Sequence, residues 1–246
     1  MRLIMTVLCS LLFCFTGTAQ TKEVGSWNMA HVRFFLSNNI SVFGEAQIRS
    51  LRFYTHYNYY EYKGGINYHV NPGLMVSLGV GDYDTYKEGG NFVVPKNNDE
   101  YRIWPQVVAT QTVGKFRIEH RYRAERRVSD AGLRYRFRFR GGVMYPFGKA
   151  KNNVQPFMVG VSSELFLTNK EPFFERNRFF TGFSYRPNAM VTMQVGYINQ
   201  FDYKLTSKKD HDYFFISVQF EIKDNGNSKP KEGQKTSYVP SMVGSM

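Results

Sequence analysis

The sequence predicts an all-β fold: a single antiparallel, up-and-down transmembrane β-barrel of about 10–12 strands. Apolar and polar residues alternate with a period of two through most of the chain, which is the period of a strand and not of a helix. Most alternating segments have about 10–14 residues, whereas strands of globular sheets have about five or six and a tilted strand needs about 9–11 to cross a bilayer. Both their period and their length therefore favour strands that span a membrane.

The start of the chain has the pattern of a secretory signal peptide. A basic start is followed by an apolar run over 3–15 and by small residues with a cut site after Ala19, which predicts a signal peptide over 1–19. A retained anchor is the alternative, but the run is shorter than the roughly 17 residues that a spanning helix needs. Cys9 and Cys14 both lie in this segment, so we expect an exported chain without disulfides or thiol chemistry.

The rest of the chain divides into a barrel and a tail. Beyond Ala19 no long apolar stretch occurs, so we expect residues 20–223 to enter a membrane as strands. Residues 224–246 are polar, contain Gly, Ser and Pro, and show no periodicity. This composition predicts a disordered tail, which we expect in the periplasm.

Turn residues such as the Asn-Pro-Gly at 71–73 separate the predicted strands. The predicted strands are 24–36, 40–52, 57–70, 74–85, 100–111, 115–127, 132–145, 154–167, 176–186, 190–202 and 211–223. Single-chain bacterial barrels use even numbers of strands. We therefore expect ten or twelve strands and not the eleven that the pattern contains.

The lengths of the connections predict which end of the barrel faces the periplasm. Counted back from a periplasmic C-terminus, the periplasmic connections are short: 37–39, 71–73, 113–114 and 186–189. Those on the other side are long: 86–99, 168–175 and 203–210. Short periplasmic turns and long outer loops are typical of outer-membrane barrels.

The segment RYRFRFR at 134–140 shows how charge is distributed over the two faces. In a strand its four arginines share one face and its aromatic residues the other. A charge at the bilayer midplane on the lipid face costs about 2–4 kcal/mol, so we expect the charged face of each strand to line the lumen.

The predicted lumen-lining residues are Arg117, Glu119, Arg121, Arg123, Glu125, Arg127, Arg134, Arg136, Arg138, Arg140, Glu164 and Arg178. The predicted lipid-facing residues are Tyr135, Phe137, Phe139, Val195, Tyr197, Phe214, Ile216 and Val218. Phe220, an aromatic near the end of the last strand, is the predicted assembly signal.

Three hypotheses for the function follow from this lumen. A barrel of about eight strands is filled by side chains, whereas sixteen leave a channel. The first hypothesis is a non-enzymatic barrel, structural or an accessory subunit of an envelope complex, whose Arg–Glu networks plug the lumen. The second is a narrow anion-permeable channel lined by basic rings. The third is an enzyme that hydrolyses or transfers lipid acyl chains, for which His69 and Ser77 could approach each other across a turn.

The sequence contains no motif that supports catalysis or a bound cofactor. GxSxG, HExxH, P-loop and paired-carboxylate patterns are absent, so we expect no enzymatic activity, cofactor or metal. The expected partners are outer-membrane lipid and lipopolysaccharide, the barrel-assembly machinery during biogenesis, and a possible envelope protein complex. A net charge of +12 is typical of nucleic-acid-binding proteins, but the signal peptide and the separation of charge by strand face argue against such a partner.

Several segments resemble a domain-of-unknown-function family of outer-membrane barrels from Bacteroidetes-type bacteria. They are the pair Ser26–Trp27, EYRIWPQ at 100–106, HRYRAERR at 120–127, RYRFRFR at 134–140 and the hairpin over 177–200. The resemblance covers Trp27 to Ile222. It implies a location in the cell outer membrane and supplies no catalytic residues.

Overall fold

The computed structural model describes residues 23–152, 154–203 and 208–223. Its strands are β1 (Val24–Phe35), β2 (Ile40–Arg52), β3 (Thr55–Asn71), β4 (Leu74–Tyr86), β5 (Lys96–Val113), β6 (Phe116–Ser129), β7 (Gly132–Phe147), β8 (Phe157–Thr168), β9 (Phe174–Tyr185), β10 (Val191–Tyr203) and β11 (Lys208–Lys223). They close into one barrel, which confirms the predicted fold class. The predicted signal peptide (1–19) and tail (224–246) lie outside the described residues. Among the described residues no helix is long and apolar enough to cross a membrane.

The number of strands determines how the barrel closes. Each strand is antiparallel to the next one in the chain, and β1 and β11 pair in parallel, with Trp27 beside Phe215. The first and last strands of an odd series of antiparallel neighbours run in the same direction, so they can only close in parallel. All eleven predicted segments form strands, and the expectation of an even number is wrong.

The connections define two ends of the barrel. The loop end carries the connections 53–54, 87–95, 130–131 and 169–173, and β10 ends and β11 begins there. The turn end carries 36–39, 72–73, 114–115, 148–156 and 186–190. The two ends differ less in connection length than the sequence predicts. The turn end has one long connection, and two connections at the loop end have only two residues each. Val24 begins at the loop end and Lys223 ends at the turn end.

Large apolar side chains cross the interior of the barrel between its walls. One buried cluster joins Trp27 and Met29 of β1 to Met144 of β7 and Phe180 of β9, strands that are not neighbours. A second cluster contains Phe43, Tyr83 and Trp104. These side chains lie in the phase that the sequence assigns to a polar lumen, so the interior is partly an apolar core.

A missing side chain in the wall makes room for one of these rings. A Cβ atom at Gly79 of β4 would lie 2.4 Å from Cε2 of Trp104 on the adjacent strand β5. The indole therefore lies against the backbone of its neighbouring strand, and only glycine permits this approach.

Candidate functional site

Buried ion pairs fill the middle of the barrel, and Glu125 of β6 lies at their centre. Its carboxylate accepts a hydrogen bond from Arg138 Nη1 at 2.7 Å. Arg123, Arg136 and Arg102 approach the same carboxylate to 3.5, 3.6 and 3.9 Å. One buried carboxylate is thus shared by four guanidinium groups on strands β5, β6 and β7.

Glu164 of β8 forms a second centre beside the first. Its Oε1 accepts hydrogen bonds from Arg121 Nη2 at 2.5 Å and Arg138 Nε at 2.8 Å. Arg178 Nη1 lies 3.7 Å from its Oε2. Arg138 therefore joins Glu164 to Glu125, and the linked charges connect β6 to β9 across the interior. Buried charges persist when they are paired and hydrogen-bonded in this way.

The opposite wall has its own charged cluster. Lys63 Nζ lies 2.6 Å from a carboxylate oxygen of each of Glu45 and Glu61. Arg49 contacts Glu61 at 3.2 Å and lies over the Trp27 ring, with its Cζ 3.3 Å from the ring centroid. The indole N–H of Trp27 donates to Gln47 Oε1, so charge, aromatic ring and amide form one packed unit.

The structure places all of the predicted lumen-lining residues on the inner face. Arg117, Arg127 and Arg134 are half-buried and the other nine are buried. All of the predicted lipid-facing residues lie on the outer face, where Ile216 and Val218 are half-exposed and the others exposed. Contact with lipid stays a prediction. Phe220 lies outward on β11, and its role in assembly stays a prediction.

Four charged residues at the loop end are missing from the predicted lumen set. Glu100 accepts two hydrogen bonds from Arg127 at 2.7 Å each. Glu175 accepts two from Arg136, at 2.6 and 2.7 Å. The remaining pair is Arg176 with Asp202. Arg176, Asp202 and Glu100 share the inward phase of their strands and could have been found at the ends of the predicted segments.

Glu175 could not be found from alternation. Phe166 pairs with Arg176 and Leu167 pairs with Phe174, so Glu175 is the extra residue of a β-bulge. A bulge shifts the phase of the residues around it. It brings the Glu175 carboxylate to the inner guanidinium groups, although the residue has the outward phase of the strand that follows.

A cavity of about 230 Å³ occupies the loop end of the barrel, and we call it the vestibule. It reaches the loop end, because its lining includes Glu88 from the connection after β4 and Asp202 near the end of β10. Its lining includes eight basic and four acidic side chains together with tyrosines and neutral polar groups. Arg138 and Phe166 line its inner part, so the central ion pairs form its floor.

The predicted approach of His69 to Ser77 is indirect in the structure. His69 Nε2 is 2.9 Å from Ser41 Oγ, and Ser41 Oγ accepts a hydrogen bond from Asn67 Nδ2 at 3.1 Å. Ser77 Oγ donates to Asn67 Oδ1 at 2.7 Å. The hydroxyl beside the imidazole is that of Ser41, which is fully buried, and the expected absence of enzymatic activity stays a prediction.

Three carboxylates on the outer face near the loop end have spacing that a cation could use. Asp82, Asp84 and Asp99 have oxygens within 4.8 Å of one another. Lys96 Nζ lies 2.6 Å from Asp84 and 2.9 Å from Asp99. The ammonium group therefore already pairs with two of the three carboxylates, and the expected absence of a metal stays a prediction.

The fold and this interior define a closed, eleven-stranded β-barrel with a charged and aromatic core. The chain belongs to the family described as "Protein of unknown function (DUF2490)", whose model matches residues 24–211. This confirms the resemblance to a domain-of-unknown-function family, and the Bacteroidetes-type origin stays a prediction.

Comparisons with individual proteins add little to this assignment. No curated protein matches the chain. Among solved structures, an anion-selective porin from Comamonas acidovorans is similar at 13% identity and a TM-score of 0.35. The match covers 74% of this chain and 55% of the porin, so the chain spans about half the length of that protein. A likeness at this TM-score carries no argument about function.

Proposed function

We propose that this protein is a non-enzymatic integral β-barrel of the cell outer membrane, structural or an accessory subunit of an envelope complex, with a closed interior. The observation that carries the proposal is the distribution of side chains: large apolar side chains are exposed on the outer face, and nearly all of the buried charged side chains lie inside, beside the apolar clusters. In a water-soluble barrel the apolar face would be inside.

The outer face supports insertion into lipid. Exposed apolar and aromatic side chains occur on successive outward positions of β7 and β10, as at Phe137, Phe139, Val195 and Tyr197. Monomeric soluble proteins rarely expose a continuous apolar surface of this kind. Together with the predicted signal peptide, this surface supports an outer-membrane location.

The packing of the interior supports a closed barrel over the alternative of a channel. Trp27, Trp104 and Phe166 are at most 1% exposed, and Arg121 is 1% exposed although it lies on the inner wall. Side chains from β1, β7 and β9 meet in one cluster across the lumen. An open pore would leave a continuous water-lined surface along the inner wall.

Conductance of the purified barrel in planar bilayers tests the closed interior. We expect no stepwise current in the wild-type protein and none in the double variant Arg121→Glu, Arg136→Glu. An anion-selective current in the wild type that becomes cation-selective in the double variant would establish the channel hypothesis instead. Planar bilayers without protein give the baseline.

Phospholipid vesicles that contain the purified barrel test whether it has enzymatic activity. We expect no release of fatty acid from phospholipids above that of protein-free vesicles. Release that disappears in Ser41→Ala and His69→Ala, while the barrel remains folded, would establish the acyl-chain enzyme and refute the non-enzymatic assignment.

A further inference from the structure

We propose that the vestibule binds a small organic phosphate that enters from the loop end. This goes beyond the proposed function, since a structural barrel needs no ligand. It requires no open pore, because the site ends at the central ion pairs.

The first argument is an excess of permanent positive charge inside the barrel. Among the described residues the inner face carries fifteen basic side chains and nine carboxylates. The basic ones are Arg33, Arg49, Lys63, Arg102, Arg117, Arg121, Arg123, Arg127, Arg134, Arg136, Arg138, Arg140, Arg176, Arg178 and Arg186. The carboxylates are Glu45, Glu61, Glu100, Glu119, Glu125, Glu164, Glu175, Asp202 and Glu221. Arginine does not lose its proton in proteins, so the excess attracts anions.

The second argument is that this excess includes incompletely paired groups at the vestibule. Arg178, 6% exposed, donates from Nη2 to the neutral Gln200 at 2.9 Å, and its nearest carboxylate contact, with Glu164, is 3.7 Å long. Its Nε has no hydrogen-bond partner among the described residues. The same is true of Arg49 Nε and Arg138 Nη2. All three side chains line the vestibule.

The geometry around Arg178 favours a phosphate over a simple halide. Its guanidinium carbon lies 4.6 Å from the ring centroid of Trp27 and 5.0 Å from that of Phe166. Arg49 lies over the same Trp27 ring. Two guanidinium groups of the vestibule therefore contact the same indole, and planar guanidinium forks match the oxygen geometry of phosphate.

The size and the remaining lining favour an organic ligand over free phosphate. A cavity of about 230 Å³ has room for roughly eight water molecules at about 30 Å³ each, which exceeds the space that a bare phosphate needs. Asn58, Thr85 and Asn98 supply neutral donors and acceptors for hydroxyl groups, and Tyr59 and Tyr213 supply apolar faces. A phosphorylated sugar carries the matching groups: a phosphate, several hydroxyl groups and an apolar ring face.

Titration of the detergent-solubilised full chain tests this inference, with glucose 6-phosphate, inorganic phosphate and glucose as the probes. Heat of binding and tryptophan fluorescence are the readouts, since Trp27, one of the two tryptophans, contacts Arg49 and Arg178. We expect saturable binding of glucose 6-phosphate, weaker binding of phosphate and none of glucose. No saturable binding of glucose 6-phosphate refutes the proposal, and affinity no higher than that of phosphate refutes an organic ligand.

A matched pair of variants locates the site. Arg178→Gln removes a guanidinium from the vestibule, and a charge-assisted hydrogen bond lost there corresponds to about 10- to 100-fold weaker binding. Arg140→Gln removes the same charge from a buried inner position that pairs with Glu119, away from the vestibule. We expect binding within about twofold of wild type for Arg140→Gln. Equal losses in the two variants refute a vestibule site.

A second vestibule variant keeps the test decisive if Arg178→Gln does not fold. Gln200→Glu places a carboxylate beside Arg178 Nη2, where it competes with the phosphate. We expect loss of binding, and urea unfolding checks that the barrel stays folded, because Gln200 also donates a hydrogen bond to Asp202 at 3.0 Å. Wild-type affinity in Gln200→Glu refutes the proposal.

Discussion

Replacement of Glu125 by glutamine tests whether the central ion pairs hold the barrel together. The side chain keeps its size, but the carboxylate shared by Arg138, Arg123, Arg136 and Arg102 loses its charge. Glu125 is 1% exposed, so water cannot replace the lost charge. An amide also turns N–H donors toward guanidinium groups that are themselves only donors.

The size of the effect follows from burial. Removing one partner of a buried ion pair costs about 3–5 kcal/mol, because the remaining charge is left uncompensated. Arg138 keeps Glu164 as a partner, so part of the network persists. We therefore expect Glu125→Gln to lower the free energy of unfolding by about 3–5 kcal/mol, and we do not expect the four contacts to add separately.

Urea unfolding in lipid vesicles, followed by tryptophan fluorescence, measures this loss. Both tryptophans, Trp27 and Trp104, lie in the interior and report its opening. The control is Glu23→Gln, whose partner is Arg52 in a pair that is more than half exposed on both sides. An exposed pair is worth about 0–1 kcal/mol. A loss for Glu125→Gln as small as that of the control would show that the central pairs do not hold the barrel.

Two further substitutions test the walls of the barrel. Gly79→Ala would place a methyl group 2.4 Å from Trp104. We expect about 1–3 kcal/mol of destabilisation and a shifted tryptophan spectrum, whereas Gly44→Ala, with open space around its Cβ, should change neither the spectrum nor the urea midpoint. Val195→Arg on the outer face should destabilise the lipid-inserted barrel by about 2–4 kcal/mol. The same change at Val94, in an exposed connection, should have little effect, and equal stability of the two arginine variants in vesicles would argue against a membrane-embedded wall.

Much of the wall could be predicted from the sequence because strand alternation is a local signal. A period of two assigns Arg136 and Phe137 to opposite faces whatever the rest of the chain does, and the structure places them so. For the number of strands, the pattern in the sequence was a better guide than the general rule for bacterial barrels. The pattern itself contained eleven segments, and the general preference for even numbers led to the wrong expectation, because parallel pairing of β1 with β11 closes an odd barrel.

The interior could be predicted less well because it depends on contacts between distant strands. Trp27 and Phe180 belong to the polar phase of their strands, and alternation alone does not show that they meet inside the barrel. The inward carboxylate of Glu175 results from a bulge against β8, which is a property of strand pairing and not of either strand alone. The vestibule likewise exists only once charged side chains from strands between β2 and β10 come together.

The arginines on the inner face have two different roles, and the residues that each of them contacts show which role it has. A barrel of eleven strands is wider than one that ordinary side chains fill, and long side chains such as arginine can reach across it when carboxylates meet them. Arg121 and Arg138 have such partners within 2.8 Å, so we expect their loss to affect folding first. Arg178 faces a neutral amide and aromatic rings, and its contact with Glu164 is longer, at 3.7 Å, so we expect its loss to affect binding first. Stability therefore depends on the paired arginines, and binding on those that the protein's own carboxylates leave unbalanced.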